Sequence, residues 1–251
     1  MQSVERFSSR VENYVRYRPG YPEPIIHLLH DECGLTPESV IADIGSGTGK
    51  LSELFLQNGN VVFGVEPNAA MRAAGEALLA SYPSFRSAEG TAEATTLSPS
   101  SVDFVVAGQA FHWFDPIAAK EEFTRILKPG GWAVLIWNER QVDTTPFLRA
   151  YEQLLLTLGT DYPVVRHENA SAAITSFFAP AVPKSKQMPN SQEFDLSSLE
   201  GRLLSSSYTP EAGDPRFEPM LERVREIFDQ YQEGGIVRFE YVTRIFYNQI
   251  K

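Results

Sequence analysis

The chain carries one cysteine, Cys33, in 251 residues. That excludes an internal disulfide framework and any zinc site built from several thiolates, and leaves Cys33 as a buried or half-buried structural residue. Positive charge is also scarce: 22 Lys and Arg stand against 32 Asp and Glu, for a net charge of -10. A general phosphate-backbone binder needs a cationic surplus to release counterions, so no nucleic-acid partner is expected. The opening stretch MQSVERFSSR lacks the apolar core of a signal peptide, and no later segment has the uninterrupted apolar length of a membrane helix. No membrane partner and a cytoplasmic location are therefore expected. With 43% hydrophobic and 22% charged residues, the composition is that of an ordinary globular protein able to bury a sizeable core.

What is present is an alternation. Between residues 40 and 137, apolar runs that read as strands alternate with helical patterns, as parallel doubly wound sheets require. VIADI (Val40 to Ile44) is the first strand, and a helix follows over Gly49 to Gln57. NVVFGV ends the second strand at Val65, and Asn68 is placed to cap a helix running to about Ser81. SFRSA is a short third strand and SVDFVVAG, 101 to 108, a fourth. Asp115-Pro116 then supplies a capping acid and a first-turn proline, and the helix they begin ends near KPGG, before the strand WAVLIW. Beyond it, TTPFLRAYEQLLLTLG reads as an amphipathic helix and AITSFFAPAVPKSKQMPNSQ as a proline-rich and polar stretch, together an insertion over 141 to 190. The last third has a helix around Phe217 to Gln232 and the alternating strand IVRFEYVTRIFYNQI.

The first strand runs into IADIGSGTGK, and the spacing of its glycines selects a ligand. A dinucleotide fingerprint needs G-x-G-x-x-G, but counting from Gly45 the third position is Lys50, and from Gly47 it is Ser52. The spacing is instead G-x-G-x-G, with Asp43 just before it. A carboxylate there repels a pyrophosphate and suits an ammonium group. S-adenosylmethionine carries that ammonium and a sulfonium without phosphate, and its carboxylate suits the N–H groups where the turn enters the helix. Glu66, 21 residues beyond Gly45, is placed to accept both ribose hydroxyls, a role that nicotinamide enzymes share.

These residues resemble the class I S-adenosylmethionine-dependent methyltransferases, in particular the branch labelled type 11. DIGSGTG is similar to the first motif of that branch, VEPNAAM to its second, GTAEA to its third, VDFVVAGQAFHWFD to its fourth and RILKPGGWAVLIW to its fifth. The leading YVRYRPGYP fits as well. EFDLSSLEGRLLSSSYTP and FEYVTRIFYN resemble its last two strands. The resemblance implies an α/β, Rossmann-like doubly wound fold with a mostly parallel seven-stranded sheet, an antiparallel strand near the C-terminus and helices on both faces. The chain is then a single domain over 1–251. It divides into an N-terminal helical lid segment (1–36), a cofactor-binding core (37–140), an inserted helical substrate lid (141–190) and closing strands (191–251).

By the same resemblance Asp43, Gly45, Ser46, Gly47, Thr48 and Gly49 hold the methionine end of the cofactor, Glu66 and Pro67 border the ribose, and Asn68 and Met71 line the adenosine. Thr91, Ala92 and Glu93 border the adenine. Relatives often carry an aspartate at the place of Thr91, which leaves Glu93 or backbone to meet the adenine amino group. Gly108 and Gln109 touch the methionine part.

Methyl transfer from a sulfonium needs an in-line approach and, for a neutral hydroxyl or amine, removal of a proton. QAFHWFD offers one base, His112, ringed by Phe111, Trp113 and Phe114. His112 is either that catalytic base or a residue ordering the loop, and Trp113 either packs on the sulfonium or substrate or fills the core. Tyr14, Tyr17, Arg18 and Tyr21 form either a lid or a segment packed on the sheet. Asn138 and Arg140 follow the fifth strand toward the same cleft, where Arg140 either binds an acidic substrate or is a solvated surface residue. His27 and His30, beside Asp31 and Glu32, have helical spacing but make a weak metal motif, and no metal is expected. Arg223 and Arg225 with Glu222 and Glu226 read as a solvated helix face.

The function expected is methyl transfer from S-adenosylmethionine, leaving S-adenosylhomocysteine, to oxygen, carbon or nitrogen of a small-molecule acceptor, by a monomer or homodimer. A non-catalytic S-adenosylmethionine-binding or regulatory protein is the alternative, and a nicotinamide reductase the third reading. No Asn-Pro-Pro-Tyr-like stretch follows the fourth strand, and Cys33 is not placed as a cytosine-attacking nucleophile, so nucleobase methylation fits poorly.

Overall fold

The computed structural model describes residues 15–160, 162 and 170–250. A seven-stranded sheet organises it: β1 (Val40–Ile44), β2 (Val61–Val65), β3 (Phe85–Ala88), β4 (Val102–Gly108), β5 (Leu127–Arg140), β6 (Lys184–Phe194) and β7 (Val237–Gln249). The strand order is β3-β2-β1-β4-β5-β7-β6. Neighbours pair in parallel from β3 through β5, and β7 runs antiparallel to both β5 and β6. After β1 the chain builds outward through β2 and β3, then returns to lay β4 on the other side of β1. The carboxyl ends of β1 and β4 therefore diverge around a crevice, the usual place for a ligand on such a sheet.

The local signals act as chemistry dictates. Asn68 accepts from the N–H groups of Ala70 and Met71 and caps the helix α3 (Ala69–Leu78), which follows α1 (Pro24–Cys33) and α2 (Lys50–Gln57) in the chain. Asp115 accepts from Ile117 and Ala118 ahead of α4 (Pro116–Ile126), with Pro116 in its first turn. Gly49, expected inside α2, is instead its left-handed N-cap at φ +83°. The Pro-Gly-Gly expected to precede the fifth strand lies within β5. Val102 pairs with Leu127 but Phe104 with Trp132, so residues 128 to 131 bulge from the ladder around Gly130 at φ +81°.

Two expectations are corrected at the C-terminal side. EFDLSSLEGRLLSSSYTP is not a strand beyond its first two residues: Asp195 accepts from Ser198 N and caps α7 (Leu196–Leu204). The missing strand is β6, which begins at Lys184, inside the stretch expected to be a helical insertion. β6 is a sheet edge exposed on most of both faces, with Pro189 within it, so it never needed the apolar alternation by which strands are recognised. The rest of 141–190 contributes α5 (Pro146–Leu158) and α6 (Ala170–Phe178).

The helices cover both faces of the sheet. Ile25 and Leu29 of α1 and Phe55 of α2 pack with Ile41, Val106 and Ile245 on one face, while Phe123 of α4 and Phe177 of α6 pack with Val105, Leu135 and Trp137 on the other. Cys33, the last residue of α1, is half-buried, and burial pushes its thiol up to about 12, as a structural rather than reactive cysteine requires. A third cluster joins α5, α7 and α8 (Phe217–Tyr231) around Phe239. Its position follows from register. Gly108 ends β4 opposite Ile136, whereas β5 and β7 stay paired out to Arg140 and Tyr241. The ribbon of β5, β7 and β6 thus projects past the carboxyl edge of the sheet, and this cluster forms against the projection, beside the crevice.

Candidate functional site

The glycine turn is built close. Gly45, Gly47 and Gly49 all have positive φ, at +69°, +56° and +83°. A Cβ on Gly45 would lie 2.7 Å from that of Ala110, and one on Gly49 would lie 2.5 Å from Leu79 Cδ1. The N–H groups of Gly45 and Ser46 both donate to Val65 O, which ties the turn to the end of β2. Beneath it Asp43 is 1% exposed. Its Oδ2 accepts from the Ser52 hydroxyl at 2.7 Å, and its Oδ1 has no partner. Burial pushes the Asp43 carboxyl up to about 7, against the lowering effect of the Ser52 bonds. The buried hydroxyl of Thr48 is also unpartnered. Two orphaned polar groups under one turn are costly without a ligand to meet them.

Glu66 is 8% exposed; its Oε2 accepts from Gly47 N at 2.9 Å and its Oε1 from Asn68 N at 2.8 Å. Burial raises its pKa and these two N–H groups oppose the shift. Each oxygen keeps a second lone pair, enough for two hydroxyls. Met71 is buried against the turn, its Cε 3.4 Å from where a Gly47 Cβ would stand. Pro67 is half-buried, and both it and Glu66 give a carbonyl to Arg72. Of the third motif Ala92 is buried and Thr91 exposed. Glu93 is not open to an adenine through Oε1, which accepts from Asp115 N and holds the start of α4.

At the end of β4, Gln109 takes φ +55°, rare for a side chain that has a Cβ. Its amide exchanges hydrogen bonds with the backbone N–H and C=O of Asn138 and so extends the β4–β5 ladder by one rung. The side-chain amide of Gln109 is thereby occupied by Asn138. Gly108 faces Tyr21: a Cβ there would lie 2.3 Å from the tyrosine hydroxyl. Tyr21 belongs to a strap, residues 17 to 21, laid across the projecting ribbon. Asn138 and Asn190 both donate to Gly20 O, Gln192 donates to Tyr17 O, the Tyr17 ring packs on Gly201, and Arg18 donates to Ser205 O. Tyr14 lies outside the described residues.

Asn138, expected to face substrate, is corrected to a fastening: buried, it donates to Gly20 O and accepts from Thr243 and Asn190. Asn138→Ala is expected to cost about 2–3 kcal/mol, several buried hydrogen bonds being lost together. The check is a lowered Tm accompanied by faster proteolytic cleavage between residues 15 and 23.

The aromatic run after β4 divides by residue. Phe111 is core, edge-on to Phe114, Trp137 and Phe177. His112 and Trp113 are exposed, Trp113 by 45%, with their rings 4.7 Å apart on a single helical turn whose Ala110 abuts Gly45. Arg140 is not the solvated alternative. Its side chain is 10% exposed, bound to Glu152 and to the Tyr162 hydroxyl, and its guanidinium carbon stands 5.3 Å from the Tyr151 ring centroid. Arg202, whose guanidinium stands against the same Phe239 ring as that of Arg140, had no signal in the sequence. Cavities of about 710 Å³ beside β6 and β7 and about 460 Å³ between α4 and α6 contain no residue of the glycine turn. His30 bonds Asp31 at the surface, and no group of three metal-ligating residues occurs among the described residues.

Comparisons with known proteins agree with this arrangement. Residues 42–135 match the family described as a methyltransferase domain. An uncharacterized methyltransferase of Schizosaccharomyces pombe is 34% identical over 150 residues, 59% of this chain and 58% of that one. Another from Mycobacterium bovis is 39% identical over 134 residues, 53% of this chain and 52% of its own. The chain thus spans little more than half the length of these relatives. Among solved structures, a candidate type II methyltransferase from Anaeromyxobacter dehalogenans superposes with a TM-score of 0.72 at 20% identity, over 93% of this chain and 98% of the other, a likeness of fold. With the G-x-G-x-G turn closed over Asp43 and the 3-2-1-4-5-7-6 sheet, the methyltransferase-domain match over residues 42–135 and the likeness of fold support a class I S-adenosylmethionine-dependent methyltransferase.

Proposed function

We propose that this protein transfers the methyl group of S-adenosylmethionine to oxygen, carbon or nitrogen of a small-molecule acceptor. The observation that carries the reading is the unpartnered Oδ1 of Asp43, buried at the foot of the turn. A pyrophosphate placed there would meet a negative group, while an ammonium supplies the missing donor and favours the ionised carboxylate. The orphaned Thr48 hydroxyl suits the carboxylate of the same ligand, and the spare lone pairs of Glu66 suit its ribose. The cofactor, when bound, supplies a methyl group already activated on a sulfonium. The chain's own contribution is to orient the methionine end, to keep water from Gly108 beneath Tyr21, and to hold a proton acceptor, His112, on the turn that abuts Gly45. Among the described residues no helix is long and apolar enough to cross a membrane.

Calorimetric titration with S-adenosylhomocysteine, with NADH as control, tests the reading. Micromolar binding of the former alone supports it, and binding of NADH alone overturns it. A labelled-methyl screen of small carboxylates, phenols and amines then identifies the acceptor class. With an acceptor that must lose a proton, His112→Ala is expected to lower kcat by about 10²-fold or more at unchanged S-adenosylhomocysteine affinity. Unchanged turnover would make His112 structural.

A further inference from the structure

The third core cluster contains charge that its own residues do not balance. Arg202, on α7, is 5% exposed. Its partners are neutral: the hydroxyls of Ser206 at 3.0 Å, Ser205 at 3.4 Å and Tyr241. Among the described residues no carboxylate forms an ion pair with it, and its Nε donates to none of them. Arg140 reaches the same wall from β5. The guanidinium carbons of both arginines stand 5.9 Å from the centroid of the Phe239 ring. Arg140 is paired with Glu152 through Nη2, while its Nη1 is buried without a partner. The Tyr151 hydroxyl, also fully buried, is likewise unpartnered.

Burying one guanidinium beside another is expensive, and a structure retains it when an anion completes the site. Neighbouring groups register the surplus. Burial acts to raise the phenol of Tyr208, yet the guanidinium groups of Arg202, Arg18 and Arg140 outweigh it and pull the group below its usual value. Two planar forks with donors to spare match the two oxygens of a carboxylate.

Placement connects this wall to the methyl-transfer crevice. Arg140 ends the stretch of β5 that projects beyond Gly108. The strap links the two directly, with Tyr21 over Gly108 at one end and Arg18 bonded to Ser205, beside Arg202, at the other. Two residues of chain separate them, so their Cα atoms stand at most about 11 Å apart when extended. Over residues 17 to 21 the side chains of Arg18, Asn138, Asn190 and Gln192 fasten the strap to the ribbon, an attachment that can open without breaking the sheet.

We propose that Arg140 and Arg202 form a carboxylate-binding site beneath the strap, and that the methyl acceptor is accordingly a small carboxylic acid anchored there. The proposal rests on the methyltransferase reading above, and its test separates the two. The intact protein, saturated with S-adenosylhomocysteine, is melted in the presence of millimolar malonate, succinate or benzoate, each compared with the corresponding amide. At least one carboxylate is expected to raise Tm by roughly 2–4 °C, and its amide not at all. Arg202→Met is expected to abolish that shift while S-adenosylhomocysteine still binds with the affinity of the parent protein. Arg202→Lys, which retains the charge but not the fork, is expected to reduce it severalfold, and reports on the site should the methionine variant fail to fold. Binding of S-adenosylhomocysteine with no response to any carboxylate overturns the carboxylate site and leaves the methyltransferase reading standing, as does a shift that persists in both Arg202 variants. Failure of S-adenosylhomocysteine to bind the parent protein overturns the methyltransferase reading instead, and with it the assignment of the carboxylate as methyl acceptor.

Discussion

Asp43→Asn is expected to weaken S-adenosylhomocysteine binding by about 10²-fold or more while leaving the ligand-free protein at least as stable as the parent. The two halves of that result have one cause. In the free protein the carboxyl is buried with Oδ1 unpartnered, and burial raises it to about 7 from its ordinary value of 3.8. A raised folded-state pKa means that the native state holds this proton more tightly than the unfolded chain. The group's contribution is therefore most favourable below the ordinary value and is lost as pH rises from about 4 to about 7. An asparagine stays neutral and escapes that loss, so the Tm advantage of the variant should appear at pH 8 and vanish at pH 4. The ligand's ammonium reverses the balance, since it needs the ionised form, and removing one partner of a buried pair costs about 3–5 kcal/mol.

The same linkage predicts that binding at pH 6 releases close to one proton and at pH 8 almost none, which calorimetry in buffers of different ionisation enthalpy can read. Affinity unchanged in the variant, or proton release independent of pH, would remove Asp43 from the cofactor.

Glu66→Ala is expected to fail in both stability and binding. The side chain accepts from the N–H groups of Gly47 and Asn68, one in the glycine turn and one at the cap of α3, and so joins the two loops that form the crevice. Each buried N–H left without an acceptor costs about 1–3 kcal/mol, so Tm should fall by roughly 5–15 °C. If the spare lone pairs meet the ribose, S-adenosylhomocysteine affinity falls by a further 10²-fold or so, each hydrogen bond to a charged group being worth about 1.5–3 kcal/mol. Glu66→Gln retains one carbonyl oxygen and should lie between alanine and the parent in both measurements. A destabilised variant with unchanged affinity would make Glu66 a fastening of the turn alone.

The two carboxylates illustrate how much a linear reading can carry. Asp43 and Glu66 were legible because their signals are local: an acid two residues before a glycine cluster, and an acid closing the next apolar run. Parallel pairing then brings them together, as Asp43 aligns with Gly64, two residues before Glu66. The caps at Asn68 and Asp115 were legible for the same reason, since a capping oxygen meets N–H groups two or three residues away. The pairing of the Gln109 amide was not legible, because its partner, Asn138, lies 29 residues on. β6 escaped notice because its pairing with β7 needs no burial, so hydropathy carries no trace of it.

By itself the sequence determined the order of strands and helices from 40 to 137, the glycine turn and the chemistry that Asp43 and Glu66 ask of a ligand, all from contacts within a few residues or from burial of continuous apolar runs. Only the tertiary structure decided the rest. Arg140, Glu152 and Arg202 come from three separate elements, and nothing in their sequence neighbourhoods marks them as buried. Long charged side chains are ordinarily solvated, and whether one is enclosed depends on which helices the chain packs over it. Here β5 and β7 outrun β4, and α5, α7 and α8 close against their projecting ends, so the charge is buried by packing between distant segments rather than by any local pattern.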